Sequence, residues 1–135
     1  MNEPTRVLGL VISLAVLGCI TSPTTVDVLG LWGGSHVSVQ VTSQGAQVEY
    51  DCADGVIEVP IRPDGAGRFT AAGTHTPGHG GPIRLGEIAP SFPARYDGHI
   101  EGDRMDLSVT LIDTGTVLGP FQLRRGRSGV LVKCV

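Results

Sequence analysis

A chain of 135 residues is expected to hold one domain of ordinary apolar content (41%), and its 10 Lys and Arg against 13 Asp and Glu leave a formal net charge of −3. No basic field is available to gather nucleic acid or acidic lipid, so neither is expected as an electrostatic partner. Twenty glycines, few charges (17%) and few aromatics (4%) suit short strands joined by tight turns better than helices.

The first segment does not read as part of the fold. Met1 to Arg6 carries one Arg and one Glu, and an uncharged apolar run from Val7 to Gly18 follows. That run is shorter than the ~20 residues a membrane-spanning helix needs, and it has no polar face. It has the form of a secretory signal ending in small residues. Val16-Leu17-Gly18-Cys19 resembles the lipobox of bacterial lipoproteins. The resemblance implies cleavage before Cys19 and a diacylglycerol on its thiol, hence lipidation at Cys19. With Ile20 rather than Asp next, it further implies sorting to the outer membrane if the host has two membranes. An ordinary secretory cut at the same bond is the alternative and would release the protein. The expected organisation is a signal peptide over 1–18, a lipidated cysteine and tether over 19–30, and a β-barrel domain over 31–135.

Three cysteines are an awkward number in an oxidising compartment. If the lipoprotein resemblance assigns Cys19 to the lipid, Cys52 and Cys134 remain as a disulfide pair. Such a bridge closes a loop of about 80 residues, worth about 4–5 kcal/mol in the chain-entropy account.

Beyond the tether, Val37, Val39 and Val41 alternate with Ser38, Gln40 and Thr42, the period of a half-buried strand. Ser43-Gln44-Gly45 reads as a turn. Val48, Tyr50 and Cys52 then alternate, Asp54-Gly55 reads as a hairpin, and Ile57, Val59 and Ile61 continue with Pro60 outward. Pro63-Asp64-Gly65 turns into a weaker strand around Phe69 and Ala71. Further strands are expected over Arg95 to Ile100, over Met105 to Leu111, around Val117 to Leu123, and over Val130 to Cys134. About eight strands with hairpin connections and no helix predict an all-β fold: a small antiparallel eight-stranded up-and-down barrel, lipocalin-like, with a β-sandwich as the alternative. The sandwich is disfavoured because its Trp belongs between the paired cysteines, whereas Trp32 precedes both. In this register Cys52 and Cys134 share faces with inward residues, so both thiols are expected to point inward.

Gly30-Leu31-Trp32 resembles the Gly-x-Trp entry motif of lipocalins and related calycin barrels. The resemblance implies that Trp32 plugs one end, and in the family the cavity binds small apolar molecules. With Tyr96, Met105 and Phe121 inside a barrel of short strands, little interior is expected to remain. Val48-Glu49-Tyr50-Asp51-Cys52-Ala53-Asp54-Gly55 is similar to the Tyr-x-Cys…Gly hairpin of lysozyme-inhibitor lipoproteins, which implies a compact disulfide-bonded inhibitor or interaction module.

Thr74 to about Pro93 shows little strand pattern and is expected to form a long Gly/Pro-rich loop, the candidate binding loop, with His75, His79, Arg84 and Glu87 as its candidate residues. Pro77 and Gly78 rule out the helical spacing that would align His75 and His79 on a metal, so no metal site is expected. Asp51 and Asp54 read as local turn residues, and Arg124, Arg125 and Arg127 as a solvated hairpin tip. No nucleophile elbow, zinc-protease helix or phosphate loop is present, so no catalytic residues and no cofactor are expected. The sequence thus predicts a membrane-anchored envelope protein that binds and does not catalyse. Its expected partners are the membrane through the lipid and either an envelope protein or a small apolar ligand, with no nucleic acid. A metal-dependent hydrolase using the histidines ranks last.

Overall fold

The computed structural model describes residues 12–15, 17–20, 25–79, 81–82 and 84–134. Most of the signal-like segment, Val16 of the lipobox-like run included, lies outside the described residues, as do Gly80 and Ile83 of the Gly/Pro-rich segment. Eight antiparallel strands form a closed up-and-down barrel in chain order: β1 Gly30–Gly34, β2 Val37–Thr42, β3 Gly45–Tyr50, β4 Ala53–Ile57, β5 Arg68–Pro77, β6 Phe92–Glu101, β7 Arg104–Leu111 and β8 Val117–Arg125, which returns to β1. Closure removes both sheet edges and sets the β-sandwich aside.

Alternation positions these strands. Val37, Val39 and Val41 on β2 and Met105, Leu107 and Val109 on β7 are buried, and the residues between them face outward or lie at partial exposure. The pattern also misled in places: β4 ends at Ile57 and does not continue through Val59 and Ile61. The expected Asp54-Gly55 hairpin is inside β4, and the chain reverses at Asp51–Cys52 instead. Gly30, assigned to the tether, opens β1, and Val28 before it is already core. The expected last strand over Val130 to Cys134 is not a barrel strand; it is a strap whose one ladder contact is a parallel bridge between Val130 and Ser35.

Large side chains occupy the interior. Trp32, Tyr96, Met105, Leu123, Val37, Val48 and Val109 are fully buried. Several glycines make room for rings rather than turning the chain: a Cβ at Gly55 would fall on the Tyr96 hydroxyl, and one at Gly98 on the Phe69 ring. Up-and-down order sorts the connections into two ends. The chain enters and leaves beside Trp32, together with the connections over 43–44, 58–67 and 102–103; the turns over 35–36, 51–52, 78–91 and 112–116 gather at the opposite end, the mouth.

The disulfide joins Cys52 to Cys134, with Cα atoms 5.3 Å apart and a separation of 82 positions in sequence. Both residues are exposed. The inward orientation expected of the two thiols is therefore corrected: Cys52 sits in the turn after β3, where the strand alternation no longer applies, and the bridge lies on the outside of the mouth.

Replacing Trp32 by Ala is expected to destabilise the domain by about 3–5 kcal/mol in urea denaturation. The Cys52→Ala, Cys134→Ala pair is expected to cost about 2–5 kcal/mol in the same assay.

Candidate functional site

At the mouth the end of β3, the end of β5 and the first half of β8 bring together Tyr50, His75, Leu118 and Phe121. With Ala53, Cys52, His36 and Asp51 they line a pocket of about 290 Å³ whose walls are mainly apolar. His75 is buried, its ring meeting that of Tyr50 edge-on at 5.3 Å, and Tyr50 meets Phe121 at 5.8 Å. Larger hollows lie elsewhere: about 490 Å³ between the entering chain and Ile61 to Pro63, and about 470 Å³ and 350 Å³ on the outer wall over β2–β4, lined by Gln40, Gln47 and acidic side chains; the mouth pocket is more open than any of these.

The polar atoms of this cluster are under-used. His75 Nδ1 is enclosed with no hydrogen-bond partner among the described residues, and the enclosed Tyr50 hydroxyl is directed at the Tyr96 hydroxyl. The neighbouring Tyr96 hydroxyl donates to the Thr74 carbonyl at 2.7 Å. Burial raises the pKa of Tyr50 and of Tyr96, and it lowers that of His75 against a weaker opposing pull from Asp54. At neutral pH the mouth therefore presents a neutral imidazole and a neutral phenol.

One flank of the mouth is clamped. Asp51 accepts the Val132 N–H at 2.7 Å through Oδ1 and meets His36 Nδ1 at 2.6 Å through Oδ2. The backbone N–H of Val132, and then His36, hold its carboxyl below the usual range. Lys133 pairs with Glu49, and the disulfide closes the clamp. Asp51 does sit in the turn, as the sequence pointed to, but its carboxylate ties down a strap 81 positions away instead of bonding within the turn.

The candidate loop residues divide. His75 is not in a loop: it lies in β5, which runs to Pro77, so the loop spans 78–91. The period-two series Phe69, Ala71, Gly73, His75 carries that signal, masked by the glycine and by the unusual histidine at a core position. His79 Nε2 lies 3.2 Å from Glu87 Oε1, and Glu87 Oε2 accepts the Arg84 N–H at 3.2 Å, so His79, Arg84 and Glu87 do meet. Among the described residues no group of three or more His, Cys, Asp and Glu is placed to hold a metal ion. Around the same end Leu85, Ile88, Phe92, Ile112 and Val117 are exposed, and the Ile112 N–H bonds the Pro93 carbonyl at 3.0 Å, joining the loop's return to the β7–β8 turn.

No protein-family model, no curated protein and no solved structure matches this chain at a significant level.

The depressed pKa of His75 fixes a sign. Below its ordinary value of 6.5 the unfolded chain takes up a proton that the folded state resists, so stability falls as pH drops through and below 6.5. The lowered carboxyls of Asp51 and Asp64 add a second loss only below their ordinary 3.8. Urea midpoints between pH 5 and 7.5 are expected to fall towards acid, and the slope is expected to flatten in His75→Phe.

Proposed function

We propose that the protein is an exported, lipid-anchored envelope protein whose barrel is a non-catalytic binding module, engaging a protein partner through its mouth. The observation that carries this reading is the polarity of the barrel. The chain enters at the Trp32 end, so a lipid on Cys19 would hold that end towards the membrane. The mouth, with exposed Leu85, Ile88, Phe92, Ile112 and Val117, would then face away from it. Exposed apolar side chains gathered at one end mark an interaction surface more often than chance. The exposed disulfide suits an oxidising compartment. An interior occupied by large side chains favours a protein partner over a carried apolar molecule, because ligand cavities usually exceed about 300 Å³ and enclose most of the ligand.

The test is a native mass measurement on protein extracted gently from its own membrane fraction. A chain beginning at Cys19 with acyl groups, one disulfide and a co-extracted protein that is lost in Leu85→Glu, Ile88→Glu is the expected result. A chain retaining residues 1–18, or one without lipid, overturns the anchor. A bound apolar small molecule in place of a protein turns the reading to a carrier.

A further inference from the structure

Closure removes the sheet edges only where β1 and β8 overlap. They are in register at Trp32–Arg125 and Gly33–Arg124, and β1 then turns away into the hairpin over 35–36 while β8 extends on to Val117 at the mouth. Gln122, whose carbonyl lies against Gly34, is the lower limit of the open stretch. The backbone at the hairpin is taken by Val130, which bonds the Gly34 carbonyl and the His36 N–H; no described residue does the same for the upper part of β8. The direction of its free groups follows from one bond. The Thr116 carbonyl accepts from Leu111 on β7, so in an antiparallel ladder the next residue, Val117, turns its N–H and C=O away from β7, towards the open side. Below Val117 the β7–β8 register slips, and Pro120, which has no N–H to donate, stands where edge strands tolerate it. Beside this edge lies the mouth pocket: Leu118 and Phe121 of β8 line it on one side, and Tyr50, Ala53 and His36 on the other. The hollow is the place a strand would fill if β1 were as long as β8.

We propose that the open upper edge of β8, from Val117 to Phe121, takes an extended segment of a protein partner as an added strand, with one apolar side chain of that segment seated in the mouth pocket. The inference rests on the mouth being the binding face and names what that face recognises. Strand addition draws affinity from main-chain hydrogen bonds and selectivity from pockets for alternate side chains. β8 supplies both: Val117 offers backbone groups that no neighbouring strand uses, and the pocket of about 290 Å³, apolar in most of its walls, has room for a leucine or phenylalanine side chain. Phe92, Ile112 and Val117 are exposed at the same end and extend the apolar contact. Asp54, next to Ala53 of the pocket, and Asp113, in the turn that leads into Val117, are exposed and in no described ion pair. Their charge favours a segment with Lys or Arg flanking its apolar residue. The same charge disfavours a second copy of this chain. Pairing β8 with β8 would bring these carboxylates together on chains that each carry −3, and would oppose two strands that both lack the Pro120 N–H.

The probe is a capped peptide of alternating valine and threonine about a central leucine, with lysine at both ends, titrated into the folded, disulfide-bonded domain and followed through the backbone amide resonances. Two further forms carry methyl groups on one set of alternate backbone nitrogens or on the other, which removes donors from one edge of the peptide and leaves every side chain in place. The expected result is saturable binding with a shift and slowed exchange of the Val117 amide. One methylated form is expected to lose about tenfold or more in affinity and the other little, because only one edge of the peptide meets β8. Glycine in place of the central leucine is expected to cost about tenfold, and glutamate in place of the lysines about threefold or more at low salt. Val117→Pro, which removes the open-side N–H, is expected to weaken binding, and Ala53→Leu, which crowds the pocket, to weaken the leucine peptide more than the glycine one. Should Val117→Pro fail to fold, Ala53→Leu and the peptide set decide alone. Absence of saturable binding, methylated forms that behave alike, shifts confined to residues away from β8, or a dimer of the free domain that already protects Val117 overturns the proposal. Co-extraction of a protein and its loss on Leu85→Glu, Ile88→Glu are read separately, so failure of the added strand is distinguishable from failure of the interaction face.

Discussion

The barrel stands or falls at the seam where β8 returns to β1. Their register pairs are confined to Trp32 with Arg125 and Gly33 with Arg124, whereas β5 and β6 pair from Arg68–His99 to His75–Phe92. So short a ladder is held by side chains. The Arg125 guanidinium lies 4.3 Å from the Trp32 ring centroid and donates to the carbonyls of Asp27 at 2.6 Å and Leu29 at 3.3 Å, while the indole N–H donates to Val28 at 2.8 Å. Cation–π attraction and charge-assisted hydrogen bonds thus converge on one residue pair that closes the sheet and draws the entering chain over the closed end.

The strap completes what the short ladder leaves open. Gly126 N–H reaches the Leu31 carbonyl, Val130 N–H the Gly34 carbonyl, and His36 N–H the Val130 carbonyl, so backbone groups of β1 that lack a β8 partner are satisfied by residues beyond β8. This close approach needs Gly33 and Gly129, because a Cβ at either would overlap backbone of the facing segment. Asp51 and the Cys52–Cys134 bridge then fasten the end of the strap at the mouth. The two ends of the molecule are therefore linked: the segment that seals the seam beside Trp32 continues to the turn that borders the candidate pocket.

That linkage gives the mouth its character. A turn pinned by a disulfide and a carboxylate keeps Cys52 and Ala53 fixed against Tyr50, while on the other side the loop over 78–91 carries Leu85 and Ile88 outward on a frame of His79, Arg84 and Glu87 contacts.

The sequence by itself determined the all-β class, the alternating faces of β2, β3 and β7 and the burial of Tyr96 and Met105, because side-chain period is a local property, whereas three cysteines allow three pairings and the expected Cys52–Cys134 bridge and buried Trp32 came from the lipoprotein and lipocalin resemblances. Only the tertiary structure decided which segments close the barrel. Gly30–Gly34 shows no strand alternation because three of its five residues are glycine, and it is a strand because Arg125 and the strap cover it. Val130 to Cys134 alternates like a strand and is not one, since the seam is already filled by β8 when the chain reaches it. His75 reads as a loop residue because histidine beside Gly73 and Pro77 breaks the apolar pattern; it is buried because β4 and β6 flank β5 on both sides. In each case the deciding contact joins residues far apart in the chain, where no local periodicity records it.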